Sequence, residues 1–151
     1  MPQHSRSATR IIEAPPAVIF DILSDPRQHP RIDGSGTVRA SISGPERLEL
    51  GSTFGNDMKV GATYKIKNRV VEYEKDRLIA WRHYSPHRWR YELEPVEQGV
   101  RVTETWDLAK VPPGLRFGLE KLFGERTQAA LEETLLKLKV AAEDDAKGAT
   151  S

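Results

Sequence analysis

The sequence contains no cysteine, and this absence excludes several kinds of chemistry at once. Without thiols there is no disulfide framework, no thiolate nucleophile and no cysteine ligand for zinc or an iron–sulfur cluster. An excess of charge of either sign is lacking too, because 23 Lys and Arg residues stand against 22 Asp and Glu residues. A chain so close to neutral produces no net field that would draw it to nucleic acid or to an acidic surface.

Long apolar runs are also missing from the sequence. No stretch approaches the ~20 apolar residues of a membrane-spanning helix, and the first ten residues lack the apolar core of a signal peptide. With 38% apolar and 30% charged residues, the chain has the composition of a folded domain rather than a disordered one. We therefore expect a cytoplasmic protein without membrane insertion, with a disordered N-terminus at 1–5, one domain over 6–146 and a frayed tail at 147–151.

Common catalytic and cofactor motifs are lacking as well. The Gly34-Ser35-Gly36 segment has neither the third glycine nor the preceding strand of a dinucleotide-binding loop. There is no G-x-S-x-G elbow and no H-E-x-x-H motif, and His4, His29, His83 and His87 do not share metal-ligand spacing on a helix. Basic residues of the predicted strands are interleaved with acidic ones, which is typical of a solvated face. We predict no cofactor, no metal and no nucleic-acid partner.

Hydrophobic periodicity divides the chain into three parts. A strand near 6–13 is followed by a short helix through Val18–Leu23 and by a second turn of helix at 29–33. After Pro113, apolar residues recur every three or four positions as far as Leu138, which predicts one long C-terminal helix. Between the helices, short turns separate six predicted strands near 38–43, 51–60, 63–73, 77–84, 88–94 and 100–108.

This order of elements, β-α-α-β6-α, predicts an α+β fold. Because the turns between the six strands are short, we expect them to form an antiparallel meander. A curved sheet of about seven strands would wrap the long helix without closing on it completely. Such an arrangement leaves room for an internal cavity between sheet and helix.

Alternation in the last three predicted strands places all three tryptophans and one carboxylate, Glu104, on the same face. The other face of these strands is mostly charged. A one-residue slip would reverse every face, so the pairing between strands matters. We predict the pairs Leu93–Val102, Tyr91–Glu104, Trp89–Trp106, Trp81–Tyr91 and His83–Trp89.

A carboxylate that points into an aromatic face is the sharpest anomaly in the sequence, because burying an unpaired carboxylate is expensive. In a structural role, Glu104 accepts a hydrogen bond from the Tyr91 hydroxyl or from a neighbouring amide. In a binding role, it contacts a polar group of a ligand. In a catalytic role, it moves protons as a general acid or base. His83, near a strand end, is either a rim residue or a ligand contact, and these alternatives remain open.

Several segments of the sequence resemble those of a known superfamily. Residues 11–26 are similar to its opening strand and helix, residues 70–74, 77–82 and 89–95 to its middle strands, and residues 99–105 to its last strand. Over roughly 8–145 the chain resembles the START-like (SRPBCC) proteins of the polyketide cyclase/dehydrase type. The resemblance implies a helix-grip fold that binds a hydrophobic or amphipathic small molecule between the sheet and the long helix. Some members cyclise or aromatise polyketides, others carry lipids or hormones, and no shared catalytic motif maps onto this chain.

The residues and the resemblance together predict a module that binds a small hydrophobic or aromatic, partly polar molecule, such as a lipid or polyketide. A first alternative is a polyketide cyclase, aromatase or related lyase in which Glu104 or His83 is the acid or base. A second alternative is a ligand-free interaction domain, such as a homodimer. The predicted cavity lining consists of Met58, Tyr64, Ile66, Asn68, Trp81, His83, Trp89, Tyr91, Glu104, Trp106, Leu119, Phe123 and Thr127.

Overall fold

A curved antiparallel sheet and a long C-terminal helix make up most of the structure. The computed structural model describes residues 5–34, 38–60, 62–82 and 87–150, and their side chains except at 38–43, 56–60, 62–66 and 149–150. A 3-10 turn at Pro26–Gln28 joins the first two helices. The elements are β1 (Ser5–Ile12), α1 (Pro16–Leu23), α2 (His29–Ile32), β2 (Val38–Ser43), β3 (Thr53–Val60), β4 (Ala62–Glu74), β5 (Leu78–Arg82), β6 (Arg88–Val96), β7 (Gly99–Asp107) and α3 (Pro113–Thr150).

The strands of the described chain form one seven-stranded sheet in the order β1-β7-β6-β5-β4-β3-β2. Each neighbouring pair is antiparallel, so β2 to β7 form the predicted meander and β1 returns to the free edge of β7. With α3 packed on this sheet, the predicted α+β helix-grip fold is confirmed. The predicted internal cavity remains a prediction.

Proline and aspartate define the boundaries of the short helices. Helix α1 begins at Pro16, where the missing N–H of proline would have no partner within the helix in any case. It ends at Leu23, and Ser24 caps it with a backbone N–H that donates to the Phe20 carbonyl at 2.8 Å. Asp25 then accepts a hydrogen bond from the Arg27 backbone N–H at 3.0 Å and caps the following 3-10 turn. These local features explain why the first helix lies where the sequence predicted it.

The last helix extends into the segment predicted as a frayed tail. The sequence predicts such a tail at 147–151, and α3 runs to Thr150. Two long-range contacts hold the final turns: Arg31 donates to Asp145 at 2.9 Å, and the Glu13 backbone N–H donates to Glu143 at 2.9 Å. Such contacts join residues more than a hundred positions apart, so the local sequence does not reveal them. Of the predicted disordered N-terminus, Ser5 belongs to β1, and residues 1–4 lie outside the described chain.

The core lies between the inner face of the sheet and the C-terminal half of α3. Along this half, the buried side chains are Leu131, Thr134, Leu135, Leu138, Ala141 and Ala142. The predicted apolar stripe also runs through the N-terminal half of α3, but there no described residue covers it fully. The exposed apolar side chains of that half are Leu115, Phe117, Leu122 and Phe123.

Strand register agrees with the prediction between β6 and β7 and differs between β5 and β6. Trp89 lies opposite Trp106, and Tyr91 lies opposite Glu104, as predicted. The predicted Trp81–Tyr91 pair is wrong by two positions, because Trp81 lies opposite Trp89. A shift of two residues keeps every side chain on its own face, so alternation alone does not detect it. His83, predicted opposite Trp89, lies outside the described residues.

Candidate functional site

Aromatic side chains on the inner face of the sheet form a connected layer. The ring centroids of Trp81 and Tyr91 lie 5.5 Å apart. Trp89 and Trp106 stack with centroids 6.1 Å apart and an interplanar angle of 21°. Trp106 packs with Leu108, Val111 and Leu131 in a small cluster beside the main core.

Glu104 projects into this layer from β7. Only 4% of its surface is exposed, and it lies directly opposite Tyr91 on β6. The Tyr91 hydroxyl donates a hydrogen bond to the carboxylate, but Glu104 Oε1 has no partner among the described residues. Trp106, two positions further along the same strand, is 3% exposed, and its Nε1 likewise has no described partner. The site therefore combines apolar walls with two polar atoms available for hydrogen bonding.

Burial dominates the electrostatics of this carboxyl group. Removal from water raises the pKa of Glu104 to about 8, while the hydrogen bond from Tyr91 opposes the rise and the negative charge of Asp33 adds to it. Burial also raises the pKa of Tyr91 well above its usual value, and neighbouring Glu104 contributes to this shift. Glu104 is thus mostly protonated at neutral pH, so its carboxyl group can donate as well as accept a hydrogen bond.

His29 completes the aromatic layer, although sequence reasoning did not assign it to the site. Its ring stacks on Trp81 with centroids 4.7 Å apart and an interplanar angle of 18°, and it meets Phe54 edge-on at 5.2 Å. Burial lowers the pKa of His29, so the ring is neutral, and its Nε2–H donates to the Leu23 carbonyl at 2.9 Å. The sequence placed His29 in a short helix, but only the tertiary structure brings that helix against Trp81.

The structure gathers five of the predicted lining residues on one sheet face. Trp81, Trp89, Tyr91, Glu104 and Trp106 lie on three neighbouring strands, and all but Trp89, which is partly buried, are buried. Ring contacts join Trp81 to Tyr91 and Trp89 to Trp106, the hydrogen bond joins Tyr91 to Glu104, and Trp89 packs against both core clusters. The predicted concentration of aromatic and polar groups on this face is therefore present in the structure.

The remaining predicted residues lie in other parts of the fold. Asn68 is buried on β4 opposite Phe54. On α3, Leu119 packs against the Trp106 cluster, Thr127 is half-buried, and Phe123 is 46% exposed. His83 and the side chains of three further predicted residues lie outside the described part of the chain, namely Met58, Tyr64 and Ile66.

Metal binding finds no support in the described residues. Among them, no three His, Asp or Glu side chains form a group that could hold a metal ion. The polar groups discussed at the inner face are the carboxyl group of Glu104, the phenol of Tyr91 and the indole N–H of Trp106, within an aromatic layer. These groups suit the recognition of a mostly apolar molecule that carries a few polar atoms.

Comparison with known proteins identifies the family. Residues 3–143 match the family model described as polyketide cyclase / dehydrase and lipid transport. The chain belongs to this family. The resemblance seen in the sequence is thereby confirmed. No helix in the described part of the chain is long and apolar enough to cross a membrane.

Three similar proteins illustrate the likeness in sequence and in fold. Uncharacterized protein Rv0088 of Mycobacterium tuberculosis is 41% identical over 132 residues, which cover 84% of this chain. The chain spans 59% of that relative's length. Protein NE0264 of Nitrosomonas europaea has the same fold with a TM-score of 0.70 at 16% identity, and the match covers 93% of this chain and 95% of that one. The Aha1 dimer of Colwellia psychrerythraea gives a TM-score of 0.65 at 17% identity, covering 93% and 97% of the two chains.

Proposed function

We propose that the protein binds a small hydrophobic or aromatic, partly polar molecule, such as a lipid or polyketide, between the inner sheet face and α3. The carboxyl group of Glu104 carries this proposal, because it is 4% exposed and has an oxygen without a described partner. A buried polar group without a hydrogen bond costs about 1–3 kcal/mol. A ligand that meets this oxygen would remove that cost.

The N-terminal half of α3 supports the same proposal from the opposite side. Leu115, Leu122 and Phe123 are exposed there. Exposed apolar side chains gathered in one patch usually mark a binding site. Leu119, on the same half of the helix, packs against the Trp106 cluster and links this patch to the sheet. The family description, which includes lipid transport, agrees with an apolar ligand.

Native mass spectrometry of protein purified from its natural host tests this proposal. We expect a stoichiometric small molecule that leaves on denaturation, and we expect Glu104→Leu to weaken its retention. Glu132→Gln, which changes an exposed residue on α3, serves as the control and should retain the molecule. Wild-type protein without a bound molecule, and without affinity for a panel of lipids and aromatic polyketides, would contradict the proposal.

Proton transfer by Glu104 is a second candidate function, and the pKa of this residue supports it. A general acid or base works best when its pKa lies near the operating pH, and burial brings the Glu104 pKa to about 8. A cyclase or dehydrase using this group should lose about 10²–10⁴-fold in turnover on Glu104→Gln while still binding substrate. A binding protein shows no turnover in the first place. A role for His83 as the acid or base stays a prediction, and the turnover of His83→Gln would test it.

A protein-interaction role is a third candidate function, and it rests on the same N-terminal half of α3. Phe117 and Leu122 are 69% and 75% exposed, and one structural neighbour is described as a dimer. A homodimer formed through this patch should dissociate on Leu122→Lys, measured by light scattering after size exclusion. Val140→Lys on the same helix is the matched control, since Val140 is also exposed but lies away from the patch. A cytoplasmic location stays a prediction.

A further inference from the structure

Two polar atoms without described partners belong to side chains on the same face of β7. They are Glu104 Oε1 and Trp106 Nε1, and both side chains are more than nine-tenths buried. Residues two positions apart on a strand point to the same face, with Cα atoms about 6.6 Å apart at a rise of ~3.3 Å per residue. A polar group of a ligand seated on this face between the two side chains would face both atoms.

The two atoms require different chemistry from that group. An indole N–H only donates, so the group must accept a hydrogen bond from Trp106. The carboxyl group of Glu104 accepts a hydrogen bond in either protonation state. A group that accepts from Trp106 and can also donate to Glu104 therefore pairs with both atoms in either protonation state of the carboxyl group.

Other polar groups satisfy this pair less well than a hydroxyl. An ammonium group has no lone pair to offer Trp106. A carboxylate or phosphate would add a second negative charge near Glu104 and Asp33, both of which already influence the electrostatics of this site. A ketone oxygen accepts from Trp106 and from the protonated carboxyl group, but it has no hydrogen to offer the ionised carboxylate. An alcohol or phenol is uncharged and forms both hydrogen bonds.

We propose that the ligand of this site carries a hydroxyl group on an apolar skeleton, held between Trp106 Nε1 and Glu104 Oε1. This inference rests on the proposed binding function and specifies the ligand class. Tyr91 is a positioning residue here, since it holds the Glu104 carboxyl group by a hydrogen bond. The apolar skeleton lies beside Trp89, which stacks on Trp106.

The three tryptophans of the chain provide a direct test. The nitrogen–proton correlation spectrum has three indole signals, which single Trp→Phe variants assign. The probes are β-naphthol and β-methylnaphthalene, which differ only in a hydroxyl against a methyl group, and the analogous aliphatic pair octanol and nonane. We expect a hydroxyl probe to bind about tenfold more tightly than its methyl partner, the gain of one to two hydrogen bonds. It should also move the Trp106 indole proton downfield and leave that of Trp81 in place.

Two variants test the assignment of the two atoms. Glu104→Leu and Trp106→Phe should each reduce the tenfold preference to about threefold or less, while Glu132→Gln should keep it. Circular dichroism establishes that each variant is folded. If either variant fails to fold, the paired affinities and the indole shift in the wild-type protein decide the outcome.

The results separate this inference from the proposed function. Equal affinity for the hydroxyl and methyl members of a pair overturns the hydroxyl inference and leaves apolar binding intact. A hydroxyl preference that leaves the Trp106 signal unmoved also overturns it, because the hydrogen bond then lies elsewhere. Failure of all four probes to bind folded wild-type protein overturns the binding function, and the inference with it.

Discussion

Tyr91 and Glu104 lie directly opposite each other on adjacent strands, and the phenol of one donates a hydrogen bond to the carboxyl of the other. This pair places two ionisable groups inside the aromatic layer. Glu104 raises the pKa of Tyr91, and the hydrogen bond from Tyr91 lowers the pKa of Glu104. Burial has the larger effect on both groups. The ionisation of the pair is therefore sensitive to single substitutions, which makes it open to measurement.

Removal of the Tyr91 hydroxyl should raise the pKa of Glu104 further. Tyr91→Phe removes the hydrogen bond that favours the carboxylate, so the pKa should move above its value of about 8. We also expect a loss of about 1 kcal/mol in the free energy of unfolding. Carboxyl-carbon NMR titration measures the pKa. Tyr73→Phe is the control, because Tyr73 packs against Phe20 and should leave Glu104 unchanged. A Glu104 pKa that stays the same or falls in Tyr91→Phe would contradict this account.

Glu104 should make the ligand-free protein less stable as the pH rises from about 4.5 to about 8. In this range the native state keeps a proton that the unfolded state has released, because burial raises the native pKa from 4.5 to about 8. The free energy of unfolding then falls with pH, by up to a few kcal/mol in total. Urea denaturation across this range should show the slope in wild type and much less of it in Glu104→Gln. An equal slope in both proteins would show that other groups cause it.

His29 should act in the opposite direction and at lower pH. Burial lowers its native pKa below the reference value of 6.5, so between the two values only the unfolded state is protonated. The free energy of unfolding is therefore highest above about pH 6.5 and falls as the pH decreases. His29→Phe should lose this slope, and it should be about 1–3 kcal/mol less stable at pH 7 because the Leu23 carbonyl loses its partner. Retention of the slope in His29→Phe would assign it to another group.

Gly34, which packs against α3, and Gly118, which lies within α3, should respond oppositely to alanine. A methyl group at Gly34 would overlap the backbone of Thr134 and Ala130, so Gly34→Ala should cost about 1–3 kcal/mol. A methyl group at Gly118 meets no atom, and Gly118 lies within α3, so Gly118→Ala should stabilise the protein by about 0.5–1 kcal/mol. Thermal unfolding of the two variants checks both signs. A neutral Gly34→Ala would show that the loop and the helix are not in close contact.

Much of the fold was predictable from local sequence patterns. Alternation and turn residues located the strands, and the position of Pro16 explains where the first helix begins. The inner face with Trp89, Tyr91, Glu104 and Trp106 also followed from alternation, because side chains of a strand point to opposite faces in turn. The predicted register of the last two strands is confirmed, and the two-residue turn between Val96 and Gly99 fixes it.

The sequence by itself determined the fold class, the face that is buried and the unusual presence of a carboxyl group on that face, because all three depend on patterns between near neighbours. Only the tertiary structure decided the register of β5 against β6, the stacking of His29 on Trp81 and the length of α3. These features depend on contacts between distant residues, which local periodicity does not encode. The tertiary structure also decided the pKa of Glu104, because packing excludes water from this carboxyl group.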